Sequence, residues 1–406
     1  MKKNVIWNTA GSVFYSFCQW LITILVVHLG SYEYAGYLSL AMTTSSSFAA
    51  ISLFSMRNFQ VSDVKGEYSS DIYVGSRILT CVIAFICCTV SAFVGNSLYQ
   101  VLCIDAFMLI RVAESLVDVL HGVNQKYNHY DYIGKSYILR ALLTVVIFCI
   151  GLLIWNNLPL ALFVIAMVNL MVAFLFDWRL TWNLEHFTPR IWNSKVWNLL
   201  KVCFPIVIFS FLLSLENLIP KTFLQQQFGT EELGIYSSIA SPTLVVQVFA
   251  SVAFNPFLPY FSELYVNKKT DQLKKVLHKT YMLLIAMCIC VTIGAVLLGK
   301  IGLTILFGRQ ILEYYNLFMP IVWCTILTAI VWIFSAILIA FRQIKWLVVG
   351  MIVDFLGCIC IVRPVVLQYE KNGVSIVQLM VLAVYIMFMV GVCEITLYKQ
   401  KRCNEI

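Results

Sequence analysis

The chain reads as a succession of long apolar runs separated by short polar ones. A membrane-spanning helix needs about 20 predominantly apolar residues, and twelve runs qualify. They cover approximately 5–29, 34–56, 73–95, 98–121, 134–155, 158–178, 198–220, 232–254, 279–299, 314–340, 345–367 and 374–397. Within each run the apolar residues are continuous rather than alternating, which predicts helices and not the strands of a transmembrane barrel. The pattern therefore predicts an all-α polytopic membrane protein. The first run follows Lys2 and Lys3 and is interrupted by Asn8, Thr9, Ser12, Ser16 and Gln19. No small-residue cleavage site follows it, so it reads as a retained first helix. The two longest polar stretches, about 179–200 and 255–278, carry apolar residues at helical spacing, among them Trp192, Val196, Leu199 and Leu200. That spacing predicts helices lying in the interface, with plain connecting loops as the alternative.

Composition supports the same picture. The chain is 61% hydrophobic and 12% charged, where ordinary soluble domains carry about 45–50% apolar and about 25% charged residues. The formal net charge of +8 changes meaning once it is placed on the spans. With the N-terminus inside, 22 of the 28 Lys and Arg residues fall on the cytoplasmic side. Only Lys221, Lys300, Arg309, Arg363 and Lys371 fall on the other, and Arg111 lies within a helix. This asymmetry predicts cytoplasmic termini and accounts for the basic balance without nucleic acid. The 14 cysteines sit mostly in apolar runs, as in Cys87-Cys88, Cys288 with Cys290, and Cys358 with Cys360. Residues i and i+2 on a helix point apart, so these are small packing residues and not chelating pairs.

A weak internal repeat divides the spans. Gly30, Glu33, Tyr37, Ser39 and Ala41 recur as Gly229, Glu232, Tyr236, Ser238 and Ala240 at one constant offset. Both copies follow the first helix of a set of six. Six is even, so the two halves share one topology, related by an axis along the membrane normal. The break falls in 179–200, giving an N-terminal six-helix lobe over 1–190 and a C-terminal one over 191–406.

Polar residues inside the spans are where chemistry is expected, because an ionisable group in hydrocarbon is costly and faces a cavity or a partner. The fourth predicted helix carries Arg111, Glu114, Asp118 and His121 within an arc of about 80°, with Ser115 nearby. Arg111 and Glu114 are spaced to pair. They are either a neutralised packing pair or part of a cationic site with Glu114 or Asp118 as an ion site. Arg57 ends the second helix, Arg77 opens the third and Arg140 lies in the early fifth. These three either snorkel to headgroups or form a ring of guanidinium groups at a cytoplasmic mouth, where their planar forks suit phosphate. The second helix is rich in hydroxyls, including Thr43, and the eighth carries Thr243, Gln247, Ser251 and Asn255 at spacings of four. Their equivalent places in the two halves favour a shared central cavity over close packing. Glu216 and Asn217 lie near the outer end of the seventh helix, Asp354 is a buried-acid candidate in the eleventh, and Arg363 snorkels outward. No P-loop, dinucleotide turn, nucleophile elbow or zinc motif occurs, and His121, His129 and Asp131 make a poor metal site.

Taken together, six plus six helices without a soluble domain, the Gly30, Glu33, Gly36, Tyr37 pattern and the segment from Met56 to Asp63 resemble the Wzx-type polysaccharide-biosynthesis flippases of the MOP (multidrug/oligosaccharidyl-lipid/polysaccharide) exporter superfamily. The resemblance implies a MATE-like arrangement of two six-helix lobes around a partly cationic central cavity. It implies movement of an undecaprenyl-diphosphate-linked oligosaccharide, an O-antigen or capsule repeat unit, from the cytoplasmic to the periplasmic leaflet of a bacterial inner membrane. Alternating access with ion coupling is implied as well, together with a polymerase and glycosyltransferases as partners and no cofactor or metal. Arg57 fits a diphosphate contact, with Arg77, Arg111, Arg140, Thr43 and Gln247 as the further substrate candidates. Glu114, Asp118 and Asp354 are the ion-coupling candidates. The first helix has no Arg, unlike peptidoglycan-precursor flippases. The rivals are a drug/cation antiporter of the same superfamily, which intramembrane Arg111 disfavours, and a polytopic glycosyltransferase or polymerase, which the short outer loops disfavour.

Overall fold

The computed structural model describes residues 2–63, 66–247, 254 and 258–405. The chain divides into two compact units, Met1–Leu218 and Ile219–Ile406. In the first unit α1 (Lys2–Leu29), α2 (Tyr32–Leu53), the short α3 (Met56–Ser62), α4 (Ser70–Ala92), α5 (Leu98–Lys126), α6 (Tyr130–Ile150), α7 (Leu158–Val172) and the short α8 (Arg179–Leu184) follow in order. Helix α9 (Ser194–Phe228) carries the chain across the boundary. The second unit holds α10 (Thr230–Ala240), α11 (Leu258–Val266), α12 (Thr270–Phe307), α13 (Phe318–Ala340), α14 (Ile344–Tyr369) and α15 (Lys371–Arg402).

Among the described residues, nine helices are long and apolar enough to cross a bilayer, and the chain is a multi-pass membrane protein. Of the other predicted spans, the second and fourth are the helices α2 and α5, whose hydroxyl and charge content makes them less apolar. The eighth falls partly outside the described residues, and with it Ser251 and Asn255. Large apolar side chains such as Ile285, Ile289 and Ile293 on α12 are exposed, as a lipid-facing surface requires.

Local chemistry sets the boundaries. Ser31 accepts from the Tyr34 N–H at the start of α2. Ser97 and Gln100 form a reciprocal capping box at the start of α5. Glycines at positive φ, Gly229 at 102° and Gly308 at 81°, stand where α9 gives way to α10 and where α12 ends.

Two expectations are corrected. Arg57 does not end the second helix. Phe54 and Ser55 both take left-handed φ values of 48° and 51°, so the backbone breaks and Arg57 opens a separate helix, α3. The stretch 179–200 is not one helix either. After α8 the chain runs extended, held by Asp71, whose Oδ1 accepts the Thr188 N–H at 2.7 Å and whose carbonyl accepts the Arg190 N–H at 3.1 Å. Gly75 lets that strap lie against α4, since a Cβ there would strike the Arg190 carbonyl. Val196, Leu199 and Leu200 then point into a buried cluster with Met56, Tyr73 and Phe187, while Trp192 is 87% exposed.

Within the second unit, α10 is tied to α15 twice. Tyr236 shares a hydrogen bond of 3.0 Å with Ser375, and Glu232 pairs with Lys371. The matching Glu33 of the first unit instead accepts from Tyr37 on its own helix at 2.7 Å. The repeat thus sets the same helix start twice with different partners.

Candidate functional site

The polar arc of α5 is met by counter-charges and rings from four other helices of the first unit. Asp118 takes two guanidiniums: Arg57 Nη1 donates to Oδ1 at 3.2 Å and Arg77 Nη2 to Oδ2 at 2.9 Å. Arg77 is fully buried and also donates to the Ser52 carbonyl at 2.8 Å. Arg57 Nη2 donates to Gln125 at 3.3 Å. One turn earlier, Arg111 donates to Glu114 at 2.6 Å and to Ser46 at 3.1 Å. The Tyr15 hydroxyl of α1 donates to the other Glu114 oxygen. A further turn on, His121 meets Asp177 at 3.3 Å.

Arg140 differs from the other three arginines. It is 2% exposed and, among the described residues, no carboxylate lies within ion-pair distance of it. Its guanidinium sits over the rings of Tyr15 at 5.3 Å and Tyr137 at 5.4 Å, a cation–π seat. Its Nε and Nη1 atoms are buried and, among the described residues, have no hydrogen-bond partner. A buried donor without a partner costs about 1–3 kcal/mol, and a charged one more, so this is the group of the cluster most in want of an anion.

Arg57, Arg77, Arg111, Arg140, Glu114 and Asp118 are thus gathered in one compact unit. Four guanidiniums face two carboxylates there. Thr43 of α2 is half-buried and donates to the Ser39 carbonyl at 2.7 Å. Ser45 likewise returns to its own helix, whereas Ser46 and Ser52 reach α5, the latter through Ser115 at 2.6 Å. Gln247 and Asp354 belong to the second unit. Asp354 is 6% exposed and, among the described residues, neither carboxylate oxygen has a hydrogen-bond partner. Glu114 and Asp118, by contrast, are already committed to arginines.

Tyr15, Tyr137 and Asp177 are parts of this arrangement that sequence patterning does not single out. Aromatic residues are unremarked in an apolar run, and Asp177 falls at the edge of a predicted span. Its nearness to His121 in space is visible only once α7 is packed on α5. Outside the spans, Asp63 closes α3. Burial opposes its charge, but the N–H groups of Tyr68 and Glu67, at 3.0 and 2.9 Å, and the charge of Lys126 hold its carboxyl below the usual range.

No family model matches the chain. A curated relative, the capsular polysaccharide biosynthesis protein CapF of Staphylococcus aureus, is 28% identical over 316 residues, 76% of this chain and 78% of its own length. Among solved structures, the lipid II flippase MurJ in an inward closed conformation superposes with a TM-score of 0.72 over 97% of this chain and 90% of its own, at 11% identity. An outward-facing multidrug resistance MATE family transporter of the MOP superfamily superposes with a TM-score of 0.63 over 98% and 95%, at 13% identity. The chain has the fold of the MOP-superfamily transporters. The resemblance drawn from its sequence, to a polysaccharide flippase of that superfamily, is borne out by the capsular relative together with these neighbours. On the MOP fold, the arginine cluster occupies the N-terminal of the two units.

Proposed function

We propose that the chain is a flippase that carries a polyprenyl-diphosphate-linked oligosaccharide, a repeat unit of a surface polysaccharide, from the cytoplasmic to the outer leaflet of a bacterial plasma membrane. The observation that carries this reading is the excess of guanidinium over carboxylate within the α5 cluster, where four arginines meet Glu114 and Asp118 and, among the described residues, no acid pairs with Arg140. A diphosphate cannot cross about 30 Å of hydrocarbon unaided. Arginines in a wet site replace its hydration, and partial neutralisation by Glu114 and Asp118 keeps binding weak enough for release. Arg140 is the primary phosphate contact in this reading, Arg57 and Arg111 join it by exchanging a carboxylate for phosphate, and Arg77 stays with Asp118 as a fixed positive background. Hydroxyls such as Thr43 receive sugar in the first unit. Movement is by alternating access, and Asp354 is the group best placed to take a coupling ion. Similarity to a capsular polysaccharide biosynthesis protein supports the substrate class.

The second reading is a drug/cation antiporter, favoured by the MATE neighbour. It calls for a site dominated by acids and aromatics, and the arginine excess argues against it. The deciding experiment is made in the native host. Arg140→Ala and Arg111→Ala are expected to remove surface polymer while the protein still inserts, with lipid-linked oligosaccharide accumulating on the cytoplasmic face. Normal surface polymer in both variants would refute the site, and an unchanged leaflet distribution on deletion would refute the flippase reading. Asp354→Asn is expected to slow export at least tenfold without changing insertion; full export would exclude it as the coupling group.

A further inference from the structure

One titratable pair in the first unit takes no part in holding the arginines. His121 and Asp177 are each 1% exposed, with Nε2 3.3 Å from Oδ1. Ser136, fully buried, donates to the other carboxylate oxygen at 2.9 Å. The serine therefore bonds the carboxylate and not the imidazole, which rules out the hydroxyl-on-base geometry of an activated nucleophile. Asp177 lies in a π-helical stretch, Ala173–Trp178, between α7 and α8. Such widened turns are frequent at functional sites because the extra residue redirects a side chain.

The other side of the imidazole faces the cluster. Its ring meets Tyr137 edge-on at 5.2 Å. Tyr137 in turn lies under Arg140 at 5.4 Å, and its hydroxyl reaches Arg57. One aromatic ring thus separates His121 from two guanidiniums. The groups that bear on it are Asp177, Arg57 of α3, and Tyr137 and Arg140 of α6. Beyond them stand Asp118, Glu114 and Arg111 on α5 itself, Arg77 of α4 and Tyr15 of α1. Helices α2 and α8 bring the hydroxyls of Ser52 and Thr181 to this end of α5, and α8 opens with the exposed Arg179.

With a neutral imidazole, the four arginines outweigh Glu114, Asp118 and Asp177 by one positive charge; with an imidazolium, by two. Burial opposes the imidazolium first, Asp177 favours it, and Arg140 and Arg57 oppose it. An anion seated on those arginines offsets their part of the opposition. We propose that His121 is a proton-binding site whose occupancy raises the affinity of the arginine cluster for a phosphate-bearing anion. The anion half rests on the flippase reading; the proton half rests on the Asp177, Tyr137 and arginine geometry alone. Linkage makes the effect reciprocal: the anion draws a proton onto His121 by the same factor by which the proton tightens the anion.

The test uses the full-length protein in lipid nanodiscs with ¹⁵N-labelled histidine. The His121 signal is identified as the one missing in His121→Gln. It is expected to change protonation state within the pH range over which the protein stays folded. Arg140→Gln should move its midpoint upward without any ligand, because one opposing cation is gone. A signal that keeps one protonation state across that range, or a midpoint indifferent to Arg140→Gln, would overturn the proton site. Inorganic pyrophosphate binding is then measured against pH. The unaltered protein should bind up to about tenfold more tightly per pH unit lowered, the limit for one linked proton, and His121→Gln should flatten that dependence while keeping the high-pH affinity. An unchanged slope in His121→Gln would overturn the coupling. No pyrophosphate binding at any pH would overturn the anion assignment itself, with the ligand-free titration still deciding the proton site.

Discussion

At the scale of single residues, the arginine cluster separates structural charges from available ones. Asp118 is shared by Arg57 and Arg77, and of these Arg77 is fully buried while Arg57 keeps a 26% exposed side chain. Removing one partner of a buried pair leaves an uncompensated charge and costs about 3–5 kcal/mol. Partial exposure of an ion pair reduces its worth to about 1 kcal/mol or less. Asp118→Asn is therefore expected to destabilise by about 3 kcal/mol, because it strands Arg77. Arg57→Gln leaves the Arg77–Asp118 pair intact and is expected to cost about 1 kcal/mol or less. Thermal unfolding in detergent compares the two, and equal losses would show that Asp118 is not the anchor of Arg77.

At the scale of elements, helix contacts are set by small residues. Gly11 of α1 and Gly134 of α6 face each other's helices so closely that a Cβ at Gly11 would meet the Gly134 carbonyl, and one at Gly134 the Trp7 carbonyl. Backbone cannot swing aside as a side chain can. In lipid, where apolar burial drives no association, this close approach is itself the source of helix pairing. Gly134→Ala is expected to destabilise by about 1–3 kcal/mol, the usual cost of overpacking. Gly294 of α12 is the control. It lines an apolar hollow of about 910 Å³ and has no neighbour within 4 Å of its missing Cβ. Gly294→Ala is expected to be neutral or to stabilise by up to about 1 kcal/mol through helix propensity. A reversed order of unfolding temperatures would contradict the pairing argument. The same scale explains the misread boundaries. The hydrophobic pattern of 34–56 continues through Phe54, but two consecutive left-handed residues interrupt the helix, and no residue type there announces them. The run of apolar residues at helical spacing near 196–200 is real, yet it belongs to the start of α9 and not to a helix in the interface.

At the scale of the whole molecule, the distribution of Lys and Arg leads to a prediction that packing does not. With 22 of 28 on one side, a fluorescent protein fused after residue 406 is expected to fluoresce, and alkaline phosphatase at the same place to be inactive. Active phosphatase there would invert the orientation and put the arginine cluster at the opposite mouth.

What the sequence determined by itself is what depends on composition and period. Apolar runs of spanning length must be helices in a bilayer, because every backbone group has to be satisfied within its own segment. Charge asymmetry orients them, and charges on one face of α5 must find partners. The tertiary structure alone decided which partners those are. Asp118 rather than Glu114 receives Arg57 and Arg77, His121 goes to Asp177 and not to His129 or Asp131, and Arg140 rests against two tyrosine rings with, among the described residues, no acid in ion-pair reach. These choices turn on distances between helices far apart in the chain. A repulsion or attraction between two charges is decided by a few ångströms, and that separation is a property of packing which no spacing along one helix contains.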